Sequence, residues 1–396
     1  MKDVLKTNKN LAAAVGALRK EFGDDSIVLA SEPDYSYRYR VPTGIYELDK
    51  MVGGGVPRGR VTMLTGAESA CKTTICLLIV ARLQHTCREC LREFLWYSAL
   101  QDDGETYEFE LITPCECGKN EPHTVAYIDA EGALDLEWAA SLGVDVQTLL
   151  LMQPENHEQS SDTVNALIRT GELDGLFIDS IAQMTPSREV DTSASAGQRP
   201  DMALLTNKLM RTMTSSLSSL GISNRRKPVV MVVNQDRLQV GVSYGSPVTN
   251  PGGKGQLYAA SIIISLSPAG YANHKGEHVK TGPKRDGPQY LGREFNFDIK
   301  KNKTAAPHRK GSFMLFNVSS EAHGVRKGTF DNLHRMVEDA NLVGEVKGAW
   351  LDLTEIGIKN PERKDGRFQG KDSLRGFLGE NPDAAALFVE AVANAI

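Results

Sequence analysis

The stretch RVTMLTGAESACKTTICLLIVARLQ, Arg60 to Gln84, decides the fold. Its first part is an apolar strand running into a turn. Its last part, TTICLLIVARLQ, has the composition of a buried helix. Between them Gly66, Ala67, Glu68, Ser69, Ala70, Cys71, Lys72 and Thr73 follow the spacing G-x-x-x-x-G-K-[ST], with Cys71 where the second glycine belongs. Such a loop holds phosphates with backbone N–H groups at the positive end of a helix. Lys72 would reach the β- and γ-phosphates, and the Thr73 hydroxyl would bind Mg²⁺. The substitution makes the motif a weak signal by itself. Whether the loop is a working nucleotide site depends on the residues that surround it.

Working outward, TVAYIDAEG, GLFIDS, PVVMVVNQ, ASIIISLS, EFNFDIKK and SFMLFNV have the pattern of strands, most of them apolar on both faces. Separated by helical segments, they predict a largely parallel sheet covered on both sides. Ligands bind such sheets at the carboxyl ends of the strands. Asp179 closes LFIDS and would help hold Mg²⁺. Glu131 follows YIDA and is a candidate general base for water. Either acid alone could simply cap a strand; together with Lys72 and Thr73 they point to nucleotide chemistry.

The 396 residues suffice for one large α/β domain with additions, and 41% of them are hydrophobic. With 45 basic against 50 acidic residues the net charge is -5, so nucleic-acid contact would require a local patch. There is no apolar run near membrane-spanning length and no hydrophobic signal in MKDVLKTNKN. A soluble, cytoplasmic protein is expected.

Near the N-terminus, Leu11, Val15, Leu18 and Phe22 share one helical face, with Asn10 as the expected cap and Gly23 as the stop. Residues 86–123 interrupt the α/β alternation and carry Cys87-x-x-Cys90 and Cys115-x-Cys117. Four thiolates in two close pairs fit a structural zinc site; His85 and His123 flank them and could replace a cysteine. The bland alternative is four free thiols on a loop hairpin. Gln235 to Gly255 is rich in Gly, Pro, Ser, Thr and Asn, the composition of a long mobile loop. The expected organisation is an N-terminal helix or oligomerisation segment over 1–36, a core over 37–317, and a small C-terminal domain over 318–396 closed by a helix capped near Asn381.

Taken together, the strings LAAAVGALRKEFGDDSI, TGIYELDKMVGGGVPRGR, GAESACKTT, YIDAEGALD, LGVD, LFIDSIAQMTP, VVNQ, GSPVTNPGG, KKNKTAAP and KGAW resemble the bacterial and phage RecA recombinase family. The resemblance runs from about Leu11 to about Trp350, interrupted by the cysteine insertion. It implies a RecA-type P-loop ATPase core with a small α+β C-terminal domain. It implies ATP bound between subunits of a helical filament on single-stranded DNA, and pairing of that strand with homologous duplex DNA in recombination, repair and the SOS response.

By position, Glu131 resembles the catalytic base, Lys72 and Thr73 the phosphate and magnesium contacts, and Asp179 their acidic partner. Gln235 resembles the γ-phosphate sensor. The loop residues Gly66 to Thr74, with Asp135 and Trp138, would surround the nucleotide, and Trp138 falls where the family places an aromatic on adenine. It could equally be a core aromatic. Lys301 and Lys303 match a pair that reaches a neighbour's γ-phosphate, an arginine-finger role performed by lysines; a solvated basic edge is the alternative. DNA contacts are expected from Arg188 and Arg199 in a first loop. A second loop would add Arg237, Tyr244, Gly252, Gly253 and Lys254. Such a groove needs few base-specific contacts, so near-neutral total charge is no objection.

Three features depart from the family. Cys71 would strain a left-handed turn by roughly 1–2 kcal/mol, and a thiol near a helix N-terminus tends toward low pKa and oxidation. The insertion is extra. The chain ends AVANAI, without the acidic tail of many family members. The leading reading is a DNA-dependent ATPase that exchanges strands. The alternative is a filament-forming, ATP-binding protein with slow or no hydrolysis. A hexameric helicase or clock-type ATPase is disfavoured by VNQ followed by the long GSPVTNPGG loop.

Overall fold

The computed structural model describes residues 8–28, 39–90, 95–100, 107–115, 117–187, 201–221, 224, 226–238, 248–249, 255–283 and 287–395. Its centre is a nine-stranded sheet. Strands β1 (Val61–Gly66), β4 (Val125–Asp129), β5 (Leu150–Met152), β6 (Gly175–Asp179), β7 (Val229–Gln235) and β8 (Ile262–Ala272) run parallel. Strands β9 (Gly292–Asn302) and β10 (Lys310–Phe316) add antiparallel at one edge, and His278–Val279 pairs with the end of β8. The order across the sheet is β10-β9-β8-β1-β7-β6-β4-β5. The mainly parallel sheet expected from the apolar runs is therefore present.

Every residue of β1, β4 and β6 is buried, as strands covered on both faces require. Alternate residues feed two cores. Leu64, Tyr127, Phe177, Met231 and Val233 face helix α3 (Lys72–Gln84), which contributes Ile75, Leu77, Ile79, Val80 and Leu83. Met63, Ile128, Leu176, Ile178, Val230 and Val232 face the opposite side. There helices α5 (His157–Arg169) and α6 (Asp201–Ser219) contribute Val164, Ile168, Leu209, Met210 and Met213.

A third core lies toward the C-terminus, around Met336, Val337, Leu351, Phe368, Leu374, Leu378, Phe388 and Val392. It joins helices α8 (Asn332–Glu338), α9 (Gly370–Glu380) and α10 (Pro382–Asn394) to a small antiparallel sheet. Helix α2 (Tyr46–Val52) connects it to the rest: Tyr46 packs into that core, and its hydroxyl and the Lys50 ammonium both donate to Asp339, at 2.8 and 2.5 Å.

Helix α1 (Lys9–Phe22) ends at Gly23 as expected, but its cap is Asn8, not Asn10. Asn8 has extended backbone and its Oδ1 accepts the Leu11 N–H at 3.1 Å, whereas Asn10 already lies in the first turn. Of the apolar face only Val15 is buried; Phe22 is 65% exposed. Asn381 does precede α10, yet its side chain donates back to the Phe377 carbonyl instead of capping.

The cysteine segment interrupts the α/β alternation as expected. It forms an antiparallel hairpin, β2 (Leu95–Leu100) with β3 (Tyr107–Thr113). LWYSAL and YEFELIT are rich enough in aromatic and branched residues for that outcome. Among the described residues, no helix is long and apolar enough to cross a membrane.

Candidate nucleotide site

Strand register creates the site. Gly66 of β1 pairs with Gln235 of β7, and Asp129 of β4 pairs with Asp179 of β6. Four neighbouring strands thus end on one line, and the polar residues that follow their apolar runs converge at the carboxyl edge.

The loop between β1 and α3 has the backbone of a phosphate cradle. Ser69 and Cys71 are left-handed, with φ of 56° and 67°. Gly66 is dictated by space as well as conformation: its φ is 148°, and a Cβ there would lie 2.3 Å from the Leu266 carbonyl oxygen. Cys71 takes the left-handed position at the entry to α3 in spite of its side chain, which is buried among apolar neighbours. The expected strain is therefore real, roughly 1–2 kcal/mol, but the turn is kept. The expectation of a low-pKa, oxidisable thiol is corrected. Burial pushes Cys71 up to about 12, outweighing the Thr74 hydroxyl and the nearby Arg293 and Lys72 charges.

The Lys72 ammonium is curled inside the loop, donating to the carbonyls of Gly66 at 3.0 Å and Ala67 at 2.5 Å. Burial lowers its pKa, against the pull of Asp179 and other acids. The Thr73 hydroxyl donates to Asp179 Oδ2 at 2.6 Å, and the Tyr127 hydroxyl donates to the same oxygen at 2.9 Å. Burial raises the Asp179 pKa in spite of these two donors. A hydroxyl and a carboxylate in contact beside a phosphate loop suit a hard, oxygen-seeking cation such as Mg²⁺. The helix N-terminus and the inward ammonium suit phosphate. The residues present therefore fit Mg²⁺ and a nucleotide triphosphate.

Glu131 stands beside them. Its Oε1 accepts from Gln235 Nε2 at 2.6 Å and from the Ser180 hydroxyl at 2.7 Å. The peptide bond between Asp179 and Ser180 is cis. The turn bearing Glu131 is held by Asp129, whose carboxylate accepts the N–H groups of Gly132 and Leu134 and the amide of Gln153. Sequence reasoning passed over Asp129, Tyr127 and Ser180. A polar residue ending an apolar strand was the available signal for Asp129.

Of the remaining expected nucleotide residues, Asp135 caps helix α4 (Leu136–Ser141) by accepting the Trp138 N–H at 2.9 Å. The Trp138 indole donates to Thr74 Oγ1 at 3.4 Å, and the Lys327 ammonium sits 5.5 Å from its ring centre. Trp138 is thus beside the loop, half-buried. Lys301 and Lys303 are elsewhere. Residues 301 and 302 pair with 263 and 262, at the amino edge of the parallel strands, away from Lys72. Their ammonium groups donate to the carbonyls of Leu257 and Tyr258 on helix α7 (Gly255–Ala259). Within one chain they do not join the site. The DNA-contact candidates Arg188, Arg199, Tyr244, Gly252, Gly253 and Lys254 lie outside the described residues, as does the side chain of Arg237.

The four insertion cysteines come together. Their sulfur atoms all lie within 4.8 Å of one another. Neither flanking histidine joins them: His123 turns its ring to Arg58 and the Thr86 carbonyl.

Comparison with known proteins agrees with this geometry. The family model of the RecA N-terminal domain matches residues 9–93 and 103–320, leaving a gap inside the insertion. Protein RecA of Haemophilus ducreyi is 29% identical over 395 residues, covering 99% of this chain and 87% of that protein. With this match across most of its length, the chain belongs to the RecA family.

Proposed function

We propose that the protein is an ATP-dependent recombinase. It forms helical filaments on single-stranded DNA, pairs that DNA with homologous duplex and exchanges strands, hydrolysing ATP at subunit interfaces when DNA is bound. RecA-family membership supports recombination, DNA binding and ATP binding in general terms. The observation that carries the finer reading is the Gln235–Glu131 hydrogen bond. It joins the candidate base directly to the strand that leads into the 235–255 loop, so a change in that loop on DNA would reach the base.

In this reading Mg²⁺–ATP supplies the phosphoanhydride that is cleaved. Lys72 and the loop N–H groups bind and orient its phosphates, and Thr73 and Asp179 hold the magnesium. The Glu131 carboxylate takes a proton from the attacking water. Gln235 and Ser180 fix the direction of that carboxylate. Trp138 and Asp135 border the base, and Lys301 and Lys303 act on the nucleotide of a neighbouring copy. The two DNA loops carry Arg188, Arg199, Arg237, Tyr244, Gly252, Gly253 and Lys254. Residues 318–396 form a small C-terminal domain packed beside the 37–317 core, with 1–36 engaging a neighbour. The reading also takes the setting as cytoplasmic, a role in DNA repair and the SOS response, and a structural zinc ion in the 86–123 insertion. A second reading, binding with slow hydrolysis, is favoured only by the left-handed Cys71.

Glu131→Gln tests the proposal. Filaments on single-stranded DNA with ATP should persist under the electron microscope while hydrolysis falls about 100-fold or more. Undiminished hydrolysis, or closed rings in place of filaments, would count against it.

A further inference from the structure

The opposite end of helix α3 carries a second constellation. Cys87 comes three residues after the helix ends, Cys90 completes the first pair, and Cys115 and Cys117 follow β3. Cys115 and Cys117 sulfurs are 3.2 Å apart, and those of Cys87 and Cys117 are 3.5 Å apart. A metal with four sulfur ligands at about 2.3 Å sets sulfur–sulfur edges near 3.8 Å. The 4.8 Å limit on all pairs therefore fits a single ion.

The backbone is folded around these sulfurs. The N–H groups of Glu89 and Cys90 point to the Cys87 sulfur, and that of Lys119 points to the Cys117 sulfur. The turn closes through left-handed Gly118 and Asn120, with the Cys115 N–H on Asn120 Oδ1 at 2.8 Å.

The base of this knuckle is tied to the sheet. The fully buried Arg58 donates to His123 Nε2 at 2.7 Å, which leaves His123 Nδ1–H to donate to the Thr86 carbonyl at 2.6 Å. Arg88 pairs with Glu172 at 2.6 Å and with the buried Asp174 at 3.0 Å. Asp174 Oδ2 also accepts the Thr124 N–H. Thr124 and Asp174 immediately precede β4 and β6, the strands that end in Asp129 and Asp179.

We propose that Cys87, Cys90, Cys115 and Cys117 bind one zinc ion, and that the ion pins the base of the β2–β3 hairpin to the amino edge of the ATPase sheet. This rests on the zinc part of the reading above and adds its role as an anchor. With four protein ligands the ion has no open position, so it takes no part in hydrolysis. The 13 residues of α3 place it about 20 Å from the phosphate loop. Binding releases the thiol protons to solvent and leaves zinc in its ordinary oxidation state.

The test begins with metal analysis of the purified full-length protein, where one zinc per chain is expected. Titration of the folded wild type with a mercurial should release that zinc to a coloured chelator as four thiols react. The double variant Cys90→Ser, Cys117→Ser should contain no zinc. Amide exchange over 95–113 should then quicken by about ten-fold or more, with ATP hydrolysis unchanged. Should the double variant not fold, exchange before and after mercurial release from wild type decides the same point. Absence of zinc, or stoichiometric iron, overturns the metal assignment. Zinc whose removal leaves hairpin exchange unaltered overturns the anchor. Neither outcome touches the recombinase reading, which stands or falls on hydrolysis and DNA.

Discussion

Helix α3 has two ends, and each gathers distant residues by a different means. Its N-terminal end meets strand ends held in register, so Lys72, Thr73, Asp179, Glu131 and Gln235 arrive together because parallel strands stop on one line. Its C-terminal end meets an inserted hairpin, whose two strands return Cys115 and Cys117 to Cys87 and Cys90. The first arrangement is a property of the sheet. The second depends on a few side-chain ties between distant positions, chiefly Arg58–His123–Thr86 and Arg88–Asp174. The difference predicts that loosening the insertion leaves the phosphate-loop end in place, because that end is set by the register of the sheet.

The larger effect that would break this comparison is acid. Burial and then the Arg58 charge push the His123 pKa down to about 3. The unfolded chain takes up this proton below about 6.5. The group's contribution is therefore complete above that value and is lost as pH falls from there toward 3, at about 1.4 kcal/mol per pH unit. Between pH 7 and pH 5 wild type should lose roughly 2 kcal/mol from this group alone. His123→Gln, compared by urea unfolding, should lack that part of the loss. Equal pH slopes in the two proteins would refute a neutral, buried His123 at the foot of the insertion.

These residues also mark how far the sequence could be followed. The sheet was legible because strands buried on both faces must be apolar throughout. The phosphate loop was legible because its backbone dictates glycine, lysine and threonine at fixed spacing. Four cysteines in two pairs announced themselves by type. His123 was visible but misplaced as a possible metal ligand, since its partner Arg58 lies 65 positions earlier and only the fold brings them together. Asp129 failed for a similar reason: its task is to hold a turn, and no spacing records that. The hairpin was legible only as a loop connecting the cysteine pairs, because polar residues surround its two strands. Lys301 and Lys303 show the limit in the other direction, because one chain places them away from its own loop and only assembly could give them a nucleotide.

The smaller effect sharpens the nucleotide end. Cys71→Gly relieves roughly 1–2 kcal/mol of left-handed strain and forfeits a buried thiol worth about 1 kcal/mol. The two nearly cancel, so the melting temperature should hardly move. Turnover should change by less than about five-fold, since the loop already holds its shape. A gain of about 100-fold would instead favour binding with slow hydrolysis.

The most direct measurement is ATP hydrolysis by the purified wild-type protein with and without single-stranded DNA. The account predicts clear turnover that rises strongly when DNA is added, with Cys71 in place. Turnover that is absent in both conditions, or that ignores DNA, would contradict it.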